Sequence, residues 1–285
     1  MKKILLIFVF VFIQFVEGKE STEIFNLNSK NKIPVFISEP ERIDDKTRLV
    51  IVMHGRKRNA ETYRDQWIES SKTLNLLVVV PEFSEAAYPG VYGFNYGNVF
   101  DQEGNQISQA EHTLSYIEPL AKHYLSKYSL NHKWGIYGHG AGAHFVHRLV
   151  LHKPNLDYTL AIAANLGWYL TPQDISWPFG LKDSGISEDD LAQAYSKYFL
   201  LLLGKSDIST KPNTPYVASI FDKVSAQGLH RLDRGRNFFK QSIAKARSMD
   251  VFLKWGMVEV PTKDGHSNTQ QMVPYAAELF YERLR

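Results

Sequence analysis

Two short segments carry residue types and spacings suited to acyl chemistry. The first, Gly138-His139-Gly140-Ala141-Gly142, follows an apolar run at 133–137 and leads straight into an amphipathic stretch. Alternate glycines on a strand-to-helix turn are the spacing of a nucleophile elbow, Gly-x-Ser-x-Gly, where they permit a tight and strained bend. The central residue of an elbow supplies the attacking oxygen, and here it is Gly140, which has none. No Gly-x-Ser-x-Gly occurs elsewhere in the chain. The second segment, His54-Gly55-Arg56-Lys57, follows the apolar run 49–53. Gly55 leaves room for a backbone amide to approach a bound group, which suits one half of an oxyanion hole.

These turns need a scaffold that brings strand ends together. Short, unalternated runs rich in Val, Ile and Leu predict strands over 34–37, 49–53, 76–80, 133–137, 160–163, 199–203 and 252–260. Such runs fit strands buried on both faces, hence a parallel sheet covered by helices on each side. Amphipathic patterns predict helices over 60–73, 107–128, 141–151, 188–197, 234–247 and 269–285, with Pro119 kinking the second. Ser187 and Thr269 are the expected caps of the fourth and last. Strand then helix, repeated, predicts an α/β fold: a doubly wound, mostly parallel sheet flanked by helices, with its chemistry at the C-terminal ends of the strands.

On these motifs the chain resembles the α/β-hydrolase family, and within it the secreted esterase branch near the poly(3-hydroxybutyrate) depolymerases and feruloyl esterases. The likeness runs from about Lys46 to the C-terminus and includes Pro81-Glu82-Phe83, the segment 164–169, and Gln227-Gly228 through Arg231, Arg234 and Gly235. The resemblance implies that Asp207, after the run 199–203, is the acid and that His266, in Gly265-His266-Ser267 after the last strand, is the base. It likewise implies oxyanion donors at the amides of Arg56 and Ala141, and places the nucleophile position on Gly140. His54, Gly55, Trp168 and Tyr169 are expected to contact substrate. Ser206 and Ser267 lie beside the acid and the base, not on an elbow, and no substitute nucleophile is evident.

The function so implied is that of a protein derived from a serine esterase of carboxylic esters and impaired in catalysis by Gly140. The alternative is hydrolysis by a water that His266 activates, or by an unrecognised nucleophile. Glycine also tolerates the backbone angles of an elbow, so the replacement can stabilise the fold without any functional reason.

Composition narrows the partners. The chain has 285 residues, 44% apolar and 22% charged, which fits one large domain. Thirty-three Lys and Arg against 30 acids give +3, with no basic block, and this excludes nucleic acid as the main partner. With no cysteine there is no disulfide frame, thiolate metal site or Cys nucleophile. Lys2 and Lys3 precede an apolar run at 4–16, then Glu17 and Gly18, which reads as a signal peptide over 1–18 followed by a single domain over 19–285, secreted or periplasmic. An uncleaved anchor is the alternative. The run is too short for a membrane span, and none is expected once the signal is removed.

Arg56, Lys57 and Arg58, with Arg231, Arg234 and Arg236, suggest an anionic or carboxylate-bearing ligand, against the alternative of solvated loops. Tyr88, Tyr92, Phe94 and Tyr96, with Trp168, Tyr169, Trp177 and Phe179, offer flat faces for an aromatic ester, a sugar ring or a polyester chain, or else form the core of a lid. The expected ligand is therefore a small molecule or a polyester or aromatic ester. His139, His144 and His147 lack a third ligand or a nearby acid and read as helix-surface or packing residues, not a metal site. No cofactor is implied.

Overall fold

Every residue of β3 (Arg48–Met53), β4 (Leu76–Pro81), β5 (Trp134–His139) and β6 (Leu160–Ala164) is buried, as a strand covered on both faces requires. This is a computed structural model, and it describes residues 18–27, 32–130 and 133–284. Alternate side chains of one strand feed two cores. Leu49, Ile51 and Met53 join one cluster, while Val50 and Val52 join the other.

The first elements are β1 (Glu20–Asn26) and β2 (Lys32–Ser38), followed by β3, α1 (Ala60–Leu74) and β4. Then come α2 (Ile117–Lys127), β5, α3 (Ala141–His152), β6, the small pair β7 (Thr171–Ser176) and β8 (Gly180–Lys182), and α4 (Glu188–Tyr195). The chain continues through β9 (Phe199–Gly204), α5 (Pro215–Ser219), α6 (Phe221–Ser225), α7 (Arg231–Ser248), β10 (Trp255–Val260) and α8 (Thr269–Arg283). The main sheet has eight strands in the order β1-β2-β4-β3-β5-β6-β9-β10. The pairs β1–β2 and β2–β4 are antiparallel and the rest parallel. The doubly wound, mostly parallel architecture expected from the sequence is the one observed. The connections reverse direction between β3 and β5, and a ligand crevice opens at the carboxyl ends of strands at such a switch point.

Several boundaries differ from expectation. The helix expected over 107–128 is shorter, because 3₁₀ turns at Gln109–Glu111 and Thr113–Tyr116 precede α2. Pro119 falls in the first turn of α2, where its missing N–H has no helical acceptor, so it does not kink the helix. The last strand begins at Trp255, not 252. Helix α7 begins three residues earlier than expected, with the His230 ring accepting the Asp233 amide. Ser187 does cap α4, in a reciprocal capping box with Asp190. The cap of α8 is Asn268 and not Thr269, and the Asn268 side chain is taken up elsewhere. The segment expected to be a signal peptide lies outside the described residues except for Gly18. Among the described residues no helix is long and apolar enough to cross a membrane.

Candidate active site

Met53 and Gly138 are register partners at the ends of β3 and β5, so the turns following them emerge side by side. Gly140 caps α3 with φ 57° and ψ −110°, a region that side chains resist. The outer glycines of the elbow are fixed by backbone contact. A Cβ on Gly138 would lie 2.2 Å from the Gly142 carbonyl oxygen, and one on Gly142 would lie 2.2 Å from that of Met53. Gly140 is different, since its nearest neighbour would be His266 Nε2 at 3.3 Å. Gly142→Ala is accordingly expected to destabilise the fold by about 3 kcal/mol, because neither backbone can yield. Thermal unfolding should show a Tm lower by roughly 10 °C; an unchanged Tm would contradict the contact.

The parallel pairing of Val260 with Gly204 brings the loops after β9 and β10 together. Asp207 lies in the first loop and His266 in the second, with His266 Nδ1 2.8 Å from Asp207 Oδ2. Arg231 Nη1 donates to Asp207 Oδ1 at 3.2 Å. Ser206 ties the two loops, its hydroxyl accepting the Gly265 amide at 3.1 Å and lying 2.7 Å from the Thr262 hydroxyl. Burial alone would raise the Asp207 pKa, but the hydrogen bond and charge of His266, with Arg231, hold it below the ordinary carboxylate value. Asp207 therefore stays ionised beside the imidazole, able to orient it and stabilise its cation. The His266 Nε2 atom has no protein partner among the described residues and faces Gly140.

A buried network supports His266. The His139 and His266 rings stack at 5.2 Å, and His139 Nε2 is 3.0 Å from Asn268 Oδ1. Asn165 Nδ2 donates to the same oxygen at 2.7 Å, and Asn268 Nδ2 donates to the Gly265 carbonyl at 2.6 Å. Burial first, then the neighbouring His266 charge, pushes His139 down to about 3 and keeps it neutral. Neither Asn165 nor Asn268 was given a role by sequence; for Asn165 the available signal was a polar residue directly after buried β6, whereas Asn268 lies eight residues beyond β10.

A cavity of about 960 Å³ opens over this corner and is lined by Gly55, Arg56, Gly140, Ala141 and His266, with Trp168 and Tyr216 on the far wall. Among the described residues, no backbone acceptor engages the amide of Arg56 or Ala141. Two residues expected to contact substrate lie behind the wall instead. His54 is fully buried, stacked on Phe94 at 4.4 Å; its Nε2 accepts the Phe83 amide at 3.0 Å and its Nδ1 lies 3.0 Å from the Gly55 carbonyl. It thus shapes the loop that carries Arg56. Tyr169 is fully buried against Phe238 at 4.4 Å. Both were exposed to misreading because a position after a strand does not say which way the side chain turns.

The cationic clusters also divide. Arg58 is structural, donating to the carbonyls of Phe83, Tyr88 and Gly90 and pairing with Glu85 at 2.9 Å. Arg234 donates to the Gly167 carbonyl, and Arg236 pairs with Glu259. Arg56, Lys57 and Arg231 remain at the cavity. His144 and His147 are packing residues and not helix-surface ones, their Nε2 atoms accepting the amides of Gly167 and Leu170 at 3.1 Å each. Among the described residues no three His, Asp or Glu side chains converge where a metal ion could be held.

No family model matches the sequence, and no curated protein does. Among solved structures the chain is similar to poly(aspartic acid) hydrolase-1 of Sphingomonas sp. KT-1, with 32% identity and a TM-score of 0.84 over 93% of this chain and 99% of that one. It is similar also to a poly(3-hydroxybutyrate) depolymerase of Bordetella parapertussis, with 28% identity and a TM-score of 0.83 over 93% and 91%. A fluorophosphonate-binding serine hydrolase of Staphylococcus aureus, at 13% identity and a TM-score of 0.57 over 93% and 98%, shares the fold alone. The chain belongs to the α/β-hydrolase superfamily, and the solved structures it resembles include a polymer hydrolase and a depolymerase.

Proposed function

We propose that this protein is a noncatalytic member of the secreted esterase and depolymerase branch, which binds an acyl ligand where its ancestors cleaved one. In this reading a single domain over 19–285 acts outside the cytoplasm after removal of a signal peptide over 1–18. Asp207 and His266 are the inherited acid and base, the amides of Arg56 and Ala141 the inherited oxyanion donors, and Gly140 the vacated nucleophile position. The ligand is a small ester or a segment of a polyester or aromatic ester, flanked by Gly55 and Trp168.

The observation that carries the reading is the 3.3 Å between His266 Nε2 and the place where a residue-140 Cβ would sit. The base faces a corner that holds no oxygen to activate. Catalysis through a covalent acyl intermediate needs that atom, and the remaining groups only orient and stabilise. The unmodified protein should give no adduct with a fluorophosphonate probe and should turn over 4-nitrophenyl butyrate at background. Mass-mapped labelling of any serine would overturn the noncatalytic reading.

A second reading is favoured by the open space beside Nε2. In it His266 draws a proton from a water that attacks the ester directly. Slow turnover that His266→Ala abolishes would select it, whereas background turnover in both proteins supports the noncatalytic one.

A further inference from the structure

Loss of the side chain at residue 140 does more than remove a nucleophile, because it changes which ligand the corner complements. In an acyl-enzyme the acyl carbon carries three groups: an oxygen facing the two amides, the serine oxygen facing the base, and the substrate chain. With Gly140 the second position is vacant. A free carboxylate fills it without a bond, one oxygen facing the amides of Arg56 and Ala141 and the other facing His266 Nε2. We propose that the emptied elbow is a carboxylate receptor, which selects the free acid of an acyl chain over its ester. This rests on the noncatalytic reading and names the ligand class of the same site.

Three observations support the assignment. The two amides belong to cavity-lining residues on turns that follow neighbouring strand ends, and no backbone acceptor among the described residues engages them. A Cβ at residue 140 would lie 3.3 Å from Nε2, within the space the second oxygen requires, so glycine is the residue that leaves this position open. The charges at the rim favour an anion. Glu85 on the lining is paired with Arg58, and Asp207 with Arg231, while no ion pair is shown for Arg56 or Lys57 among the described residues. An ester offers this corner one oxygen of weak basicity and an alkoxy group with no donor to meet. A carboxylate offers two charged oxygens, one to the amide donors and one to the imidazole edge of His266, and charge-assisted hydrogen bonds are about twice as strong as neutral ones. The groups facing the His266 ring are the carboxylate of Asp207, the neutral His139 and, across Asp207, Arg231.

The aromatic walls set the rest of the ligand. Trp168 Nε1 donates to the Tyr96 hydroxyl at 3.1 Å, which lies 3.0 Å from the Tyr216 hydroxyl, so the polar edges are mutually satisfied and the ring surfaces at the cavity serve an apolar chain.

The test is calorimetric titration of the full protein at low salt with 4-phenylbutyrate, its methyl ester and its amide. The acid is expected to bind at least roughly tenfold more tightly than either neutral form. Gly140→Ala, which fills the corner without restoring an oxygen, and His266→Gln, which removes the imidazole, should each bring the ratio of acid to ester affinity close to one. Circular dichroism confirms that both variants are folded. Equal affinity for acid and ester in the unmodified protein, or no binding of the acid at millimolar concentration, overturns the receptor. Release of 4-phenylbutyrate from the methyl ester during the titration instead overturns the noncatalytic reading, so the two failures are distinct.

Discussion

Gly140→Ser turns this protein into an esterase. A Cβ built on Gly140 lies 3.3 Å from His266 Nε2, so a serine hydroxyl enters directly beside the base. The His266 ring is already held by Asp207 through Nδ1, and residue 140 already holds φ 57° and ψ −110°. Nothing else in the inherited arrangement has to move beyond a few tenths of an ångström. A complete triad contributes a factor that reaches about 10⁶ in serine hydrolases. Turnover of 4-nitrophenyl butyrate is therefore expected to rise by at least roughly 10³-fold, together with fluorophosphonate labelling at residue 140 alone. The strained angles exact about 1–3 kcal/mol of stability once a side chain is present. Gly140→Ala serves as the control, with the same loss of Tm and no turnover. Asp207→Asn in the serine background should cancel most of the gain, because the amide holds the imidazole in the wrong tautomer. A folded Gly140→Ser protein that stays at background would sink the inherited-site argument.

The features that sequence revealed are those written in local pattern. Unalternated apolar runs marked β3, β4, β5, β6 and β9, since burial on both faces removes the period of two. The edge strand β1, Glu-Ser-Thr-Glu-Ile-Phe-Asn, has no such run and is held by pairing with β2, which no local signal announces. The elbow was legible because its glycine spacing is local in sequence, with Gly138 required by contact with Gly142 within the same turn. Asp207 and His266 were placed by resemblance and chain order. The distance between them could not be read, because it depends on the register of β9 against β10. Side-chain direction was the least legible feature. His54 and Tyr169 turn into the core, and Arg58 turns back onto three carbonyls, because the folded chain supplies each of them with a partner from a distant segment.

The same inward turning makes the fold sensitive to mild acid. His54, His139, His144 and His147 are all buried, and each is kept neutral chiefly by burial, with nearby positive charge adding to the effect. His54 and His139 are pushed down to about 3, and His144 and His147 also lie well below the ordinary value of 6.5. The hydrogen bonds require neutrality in three of them, because the Nε2 atoms of His54, His144 and His147 accept the amides of Phe83, Gly167 and Leu170. The buried Arg148 guanidinium, 3.2 Å from His144 Nδ1, opposes a second positive charge there. Below pH 6.5 the unfolded chain takes up protons at these four positions and the folded chain does not, so stability falls as pH falls. Each approaches a slope of about 1.4 kcal/mol per pH unit well below pH 6.5, so the four together cost on the order of several kcal/mol by pH 5. Most domains have only about 5–15 kcal/mol in total. Asp207 does not enter this window, because its lowered pKa means that its contribution is lost only below the ordinary carboxylate range. Urea titrations should give a folding free energy lower at pH 5 than at pH 7.5, by on the order of several kcal/mol. His147→Gln offers the Leu170 amide an oxygen that cannot protonate, and should flatten the dependence by about one proton. A stability that stays level from pH 7.5 to pH 5 would show that these imidazoles are not held neutral in the folded chain.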